Sequence, residues 1–92
     1  MLRIGVFGAG HLGKIHIQQW KEVAAIELVG FYDPDDNNAA SAIEQYGVKR
    51  FADIDELIQA ADALDIVSTT TTHYEIAKKC LQAGKHLFIE KP

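Results

Sequence analysis

The sequence has one cysteine, Cys80, which excludes a disulfide within the chain. Positive charge is in deficit: nine Lys and Arg face thirteen Asp and Glu, for a formal net charge of −4. A surface of that sign repels phosphate backbones, so nucleic acid is not an expected partner. Long apolar runs are missing too. The longest are strand-sized, far below the roughly 20 residues of a membrane span, and no membrane partner is expected. The opening Met1-Leu2-Arg3-Ile4-Gly5-Val6-Phe7-Gly8 turns glycine-rich at once and has no small-residue cleavage site, so it reads as a first strand and not a signal core. No repeat, low-complexity tract or linker divides the 92 residues, and a single domain over 1–92 is expected. A lone thiol fits a reducing, cytoplasmic setting.

What is present is alternation. Apolar runs at 2–7, 26–32, 48–51, 64–68 and 87–90 read as five strands. Four are nearly continuous, as in a parallel sheet covered on both faces. The third, Val48-Lys49-Arg50-Phe51, is short and charged in its middle, as an edge strand is. Helical spacing fills the gaps. Leu12, Ile15, Gln19 and Val23 mark one inward face, and Ala39, Ala42, Ile43 and Tyr46 a second, stopped by Gly47. Ile54, Leu57, Ile58 and Ala61 follow an Asp53/Glu56 cap pair. Thr72-His73-Tyr74-Glu75 reads as a capping box ahead of Ile76, Ala77, Cys80 and Leu81, with Gly84 as the stop. The pattern predicts an α/β fold with a doubly wound parallel sheet of about five strands, Rossmann-type, in the order 3-2-1-4-5.

Such sheets bind ligands beyond the carboxyl ends of their strands, where the strand order reverses. The unusual polar residues of this chain fall there: residues 8–13 after the first strand, Asp33 after the second, 68–73 after the fourth, and Glu90-Lys91 after the fifth.

Gly8-Ala9-Gly10-His11-Leu12-Gly13 matches G-x-G-x-x-G between a strand and a helix. Gly8 permits the tight turn, Gly10 leaves the backbone open to a pyrophosphate, and Gly13 lets the helix pack closely on the strand. The N–H groups of Gly10, His11, Leu12 and Gly13 at the helix start then suit an anion. Asp33 lies twenty residues past Gly13, where the dinucleotide fingerprint has an acid for the ribose hydroxyls. Pro34-Asp35-Asp36-Asn37 follows, with no Lys or Arg nearby to receive a 2′-phosphate, which predicts NAD over NADP.

Three stretches together resemble the Gfo/Idh/MocA family of oxidoreductases: residues 4–13, the run from Asp65-Ile66-Val67-Ser68 to His73 and Ala77, and Ala83-Gly84-Lys85-His86-Leu87-Phe88-Ile89-Glu90-Lys91-Pro92. The last is similar to the family's A-G-K-H-V-x-x-E-K-P. The resemblance covers the family's N-terminal domain only. It implies a longer enzyme whose second α/β domain supplies substrate contacts, a small hydroxyl or carbonyl substrate such as a sugar or cyclitol, and homo-oligomer contacts. It implies Lys91 as the catalytic lysine near the nicotinamide, Glu90 near the nicotinamide ribose, and Ser68, Thr69, Thr70 and His73 along the cofactor. An ammonium at that position can donate to a substrate oxygen and relay a proton. One departure stands out: Ser68-Thr69 replaces the family's usual Thr-Pro, so proline no longer fixes φ there.

His11, His16, His73, His86 and Cys80 have no metal-ligand spacing, and no metal site is expected. Trp20 and Tyr74 read as packing residues. Two rivals to the enzyme reading stay open: a non-catalytic NAD(H)-sensing module, and a folded piece that binds nothing by itself.

Overall fold

The structure is a computed structural model that describes residues 1–67 and 70–89, without the side chains of residues 70–73. Along the chain run β1 (Leu2–Phe7), α1 (His11–Lys21), β2 (Ile26–Tyr32), α2 (Asp36–Tyr46), α3 (Ile54–Ala60), β3 (Ala63–Ile66), α4 (Thr70–Gln82) and β4 (His86–Ile89). Every strand pair is parallel, and the order across the sheet is β2-β1-β3-β4. The chain winds outward from β1 to β2, then crosses back to build β3 and β4 on the other side.

The sheet has four strands, not the five expected. Residues 48–51 do lie beside β2, as the order 3-2-1-4-5 requires, but they make only an isolated parallel bridge, Phe31 to Arg50. The Phe31 N–H donates to the Lys49 carbonyl at 2.9 Å, and the Phe51 N–H to the Phe31 carbonyl at 2.7 Å. Gly47 ends α2 in the left-handed conformation and Asp53 already caps α3. Too little chain remains between them for a longer ladder. At the last two strands the pattern misses by a residue or two: 64–68 forms as Ala63–Ile66, and 87–90 starts one residue early at His86, its last residue, Glu90, lying outside the described residues.

Alternation along the strands sends side chains to two cores. Val6, Ala9, Ile17, Phe31, Ala39 and Ala42 are buried under α1 and α2. Phe7, Leu57, Leu64, Ile66, Ile76 and Cys80 belong to the core under α3 and α4. Burial pushes the Cys80 thiol up to about 11, which leaves it protonated and unreactive at neutral pH. At the amino edge of the sheet, Arg3 Nη2 reaches Asp62 Oδ1 at 3.2 Å while the Arg3 N–H donates to Oδ2 at 2.9 Å. The hydrogen bond from Arg3 holds the Asp62 carboxyl below the ordinary carboxylate range.

Three helix faces differ from the periodicity, that of α2 at Ile43, which is 45% exposed while Ala39 and Ala42 are buried. The buried residues of α1 are Gly13 and Ile17, with Trp20 packed beside them, while Leu12, Ile15 and Val23 stay about 40% exposed. Gly13 faces the Gly8 carbonyl so closely that it dictates which side of α1 turns inward. In α4 the helix already begins at Thr70, so Thr72 lies inside it and cannot be its cap. Leu81 and Tyr74 face outward. Phe88 and Ile89 on β4 are also half exposed, at the side of the sheet where the chain ends.

The inward rotation of α1 completes a polar cluster inside the first core. Asp65, in the middle of β3, is 2% exposed. Its Oδ2 lies 2.6 Å from His16 Nδ1 and accepts from Trp20 Nε1 at 2.8 Å. A buried carboxylate needs such partners, because without them its desolvation is uncompensated. Trp20 in turn packs on Phe88, ring centroids 5.5 Å apart, which ties α1 to β4. Asp65→Ala removes the acceptor of the Trp20 indole and one bond of His16. We expect a loss of about 2–4 kcal/mol in urea unfolding followed by Trp20 fluorescence. A loss below about 0.5 kcal/mol would show the cluster to be energetically idle.

Candidate functional site: a glycine turn at the switch point

The chain leaves β1 toward β2 on one side and returns to β3 on the other, so the carboxyl end of β1 is the point where strand order reverses. Gly8 turns the chain there at φ 109°, a conformation that L side chains rarely adopt. Its N–H donates to the Tyr32 carbonyl at 2.9 Å, which holds the turn against the end of β2. Across β1, the Val67 N–H donates to the Phe7 carbonyl at 2.8 Å.

The glycines of this turn differ in what surrounds them. A Cβ on Gly13 would lie 2.1 Å from the Gly8 carbonyl oxygen, a backbone atom that cannot yield. A Cβ on Gly10 would meet nothing closer than Asn38 Nδ2 at 3.8 Å. The fold itself therefore needs Gly13 bare, whereas the space at Gly10 is left for something else. Gly10 is the N-cap of α1 and supplies no side-chain hydrogen bond, and no acidic residue occupies the first turn. By contrast, Asp35 caps α2 by accepting from the Asn37 and Asn38 N–H groups, and Asp53 caps α3. An uncapped helix start with the positive end of its dipole exposed suits an anion. His11 and Leu12 are exposed at that start.

Asp33 stands just beyond β2 and is 7% exposed. Its Oδ2 accepts from the Ala9 N–H at 2.8 Å and from Asn38 Nδ2 at 3.4 Å, and its Oδ1 accepts from the Asp35 N–H at 2.9 Å. A carboxylate offers about four acceptor positions, so these bonds leave about one, on Oδ1, for a ligand hydroxyl. Asp33 thus braces the glycine turn as well as facing the site. Arg50 brings a cation to the same place from the segment beside β2. Its Nη2 donates to the Asp33 carbonyl at 2.8 Å and pairs with Asp36 Oδ1 at 2.9 Å. The sequence neighbourhood of Asp33 has no basic residue, but its spatial neighbourhood has one. That correction is invisible to local reading because seventeen residues separate Asp33 from Arg50.

Gly8, Gly10, His11, Leu12, Gly13 and Asp33 are thereby brought together at one edge. Thr70 and His73 belong to α4, but their side chains lie outside the described residues, as do Ser68, Thr69, Glu90 and Lys91. Among the described residues no cluster of His, Cys, Asp and Glu could hold a metal ion. No helix among them is long and apolar enough to cross a membrane.

The profile of the Gfo/Idh/MocA oxidoreductase family, described as an NAD-binding Rossmann fold, matches residues 2–92. The chain belongs to this family. It is 37% identical over 91 residues to a UDP-N-acetylglucosamine 3-dehydrogenase of Acidithiobacillus ferrooxidans, covering 99% of this chain and 28% of that protein. It is 38% identical over 92 residues to a glucose-6-phosphate 3-dehydrogenase of Bacillus subtilis, covering 26% of it. A crystal structure of a probable dehydrogenase from Thermotoga maritima superimposes with a TM-score of 0.89 at 38% identity, over 99% of this chain and 28% of the other. The chain thus spans little more than a quarter of the length of these relatives.

The two glycines separate folding from binding. Gly13→Ala forces the Gly8 backbone aside and should cost about 2–4 kcal/mol in denaturant unfolding. Gly10→Ala, at φ −71° and ψ −162°, should fold with less than about 1 kcal/mol of loss yet weaken dinucleotide binding at least about tenfold in calorimetry. Equal effects of the two substitutions on folding and binding would contradict the division.

Proposed function

We propose that this chain is the cofactor-holding domain, residues 1–92, of a longer two-domain oxidoreductase that exchanges hydride between NAD and a hydroxyl or carbonyl of a sugar- or cyclitol-like substrate. The observation that carries this reading is the uncapped start of α1, set behind the open backbone at Gly10 and beside the carboxylate of Asp33. The backbone N–H groups from Gly10 to Gly13, with His11 and Leu12 flanking, would hold the pyrophosphate, and Asp33 the adenosine ribose. Ser68, Thr69, Thr70 and His73 would line the cofactor beyond β3, with Glu90 at the nicotinamide ribose.

The nicotinamide supplies the hydride chemistry. The task of the chain's own residues is to orient the cofactor and handle the proton. Lys91 would do the second, by donating to the reacting oxygen and steadying the charge that develops on it. β4 ends at Ile89, the residue before Glu90, at the same carboxyl edge as the glycine turn. The substrate class is supported by relatives named for dehydrogenation of sugar derivatives and of inositol. A buried, protonated thiol suits a reducing, cytoplasmic location.

NAD is favoured over NADP because Asp33, Asp35 and Asp36 place three carboxylates at the end of β2, where a 2′-phosphate would lie. Calorimetric titration of the chain should give NAD a dissociation constant at least about tenfold below that of NADP. Tighter binding of NADP reverses the cofactor assignment, and binding of neither removes the site.

A further inference from the structure

We infer that the Asp36–Arg50 ion pair is the cofactor discriminator of this domain, with Asp36 occupying the cation that would otherwise receive a 2′-phosphate. The inference rests on the dinucleotide reading above. Discrimination at the adenosine ribose is a matter of charge: an acid bonds two free hydroxyls, while an arginine nearby accommodates a phosphate. This structure holds both elements side by side, brought together from segments seventeen residues apart. Asp33 faces the site, and Arg50 is fastened to the Asp33 main-chain carbonyl at 2.8 Å.

The two ends of that arginine's environment are unequal. Its anchor on the carbonyl is structural, since the segment carrying Arg50 is itself bonded to β2 through Lys49 and Phe51. The guanidinium therefore stays beside Asp33 whatever happens to its other partner. That partner, Asp36, is 89% exposed in its side chain, and the arginine only 31%. So exposed a carboxylate contributes little to folding. Nor does it cap α2, a task performed by Asp35. Its effect is on the charge of Arg50: paired, the guanidinium is neutralised toward an incoming anion, and the carboxylate adds its own repulsion. Two other nearby cations are engaged elsewhere, Lys14 with Ser41 Oγ at 2.7 Å and Lys49 over the Phe51 ring.

Asp36→Asn removes the negative charge and leaves Asp33, Asp35 and the helix cap in place. Calorimetry on the unaltered chain, Asp36→Asn, and Asp36→Asn combined with Arg50→Gln, each with NAD and NADP, tests the inference. Asp36→Asn should raise NADP affinity relative to NAD about fivefold to tenfold, with NAD affinity changed less than about twofold. The gain should shrink in high salt, because the contact is exposed. It should vanish in the double variant, whose cooperative thermal unfolding shows that it still folds. NAD binding with an unchanged ratio in Asp36→Asn, or a gain that survives Arg50→Gln, overturns the discriminator alone. Binding of neither dinucleotide by the unaltered chain overturns both it and the reading beneath it.

Discussion

The Cα of Gly13 lies so near the Gly8 carbonyl that a single methyl group could not fit between them. That approach fixes both the height and the rotation of α1 against β1. The height puts the start of α1 at the carboxyl edge, over the reversal of strand order. The rotation turns Ile17 and Trp20 inward and brings His16 against Asp65, at the expense of Leu12 and Ile15. Trp20 carries the consequence on to Phe88 and so to β4, the strand that leads into Glu90 and Lys91. One packing contact thus positions the start of α1 and, through Trp20 and Phe88, links the helix to β4.

Asp33 ties the remaining pieces to the same frame. By accepting from the Ala9 N–H it couples the glycine turn to the end of β2, and by accepting from the Asp35 N–H it shapes the entry to α2. Because the protein already orders this carboxylate, a ligand hydroxyl at its last acceptor position would add little entropic cost. The electrostatic character of this corner then comes from the balance of Asp35 and Asp36 against Arg50, set by chain segments on both sides of β2.

Much of this was legible in the sequence, for physical reasons that differ by element. Strands β1 and β2 are nearly continuous apolar runs, broken only by Arg3 and Glu27 among charged residues and followed by Gly8 and Asp33, and their limits match residue for residue. Gly47 and Gly84 stop α2 and α4 as expected, both with positive φ. The glycine turn and Asp33 were visible because the fingerprint is local. What escaped depends on contacts far apart in sequence. The inward face of α1 follows from a backbone approach rather than hydrophobic spacing. Residues 48–51 have strand composition but too little chain to form a ladder. Arg50 reaches Asp33 only through the fold. A signal for Asp65 did exist: a carboxylate inside the apolar run Ala63-Leu64-Asp65-Ile66-Val67 must find buried donors. Two candidates, His16 and Trp20, stood four residues apart on one helix, as same-face neighbours do.

The central claim is that main-chain amides at the start of α1 hold the diphosphate of a nicotinamide dinucleotide. Amide-resolved NMR of the isotopically labelled chain, titrated with NAD, tests it most directly. The account predicts that the largest shifts fall on the N–H groups of Ala9, Gly10, His11, Leu12 and Gly13, with a second group around Asp33. Saturable binding whose shifts avoid that turn would contradict it.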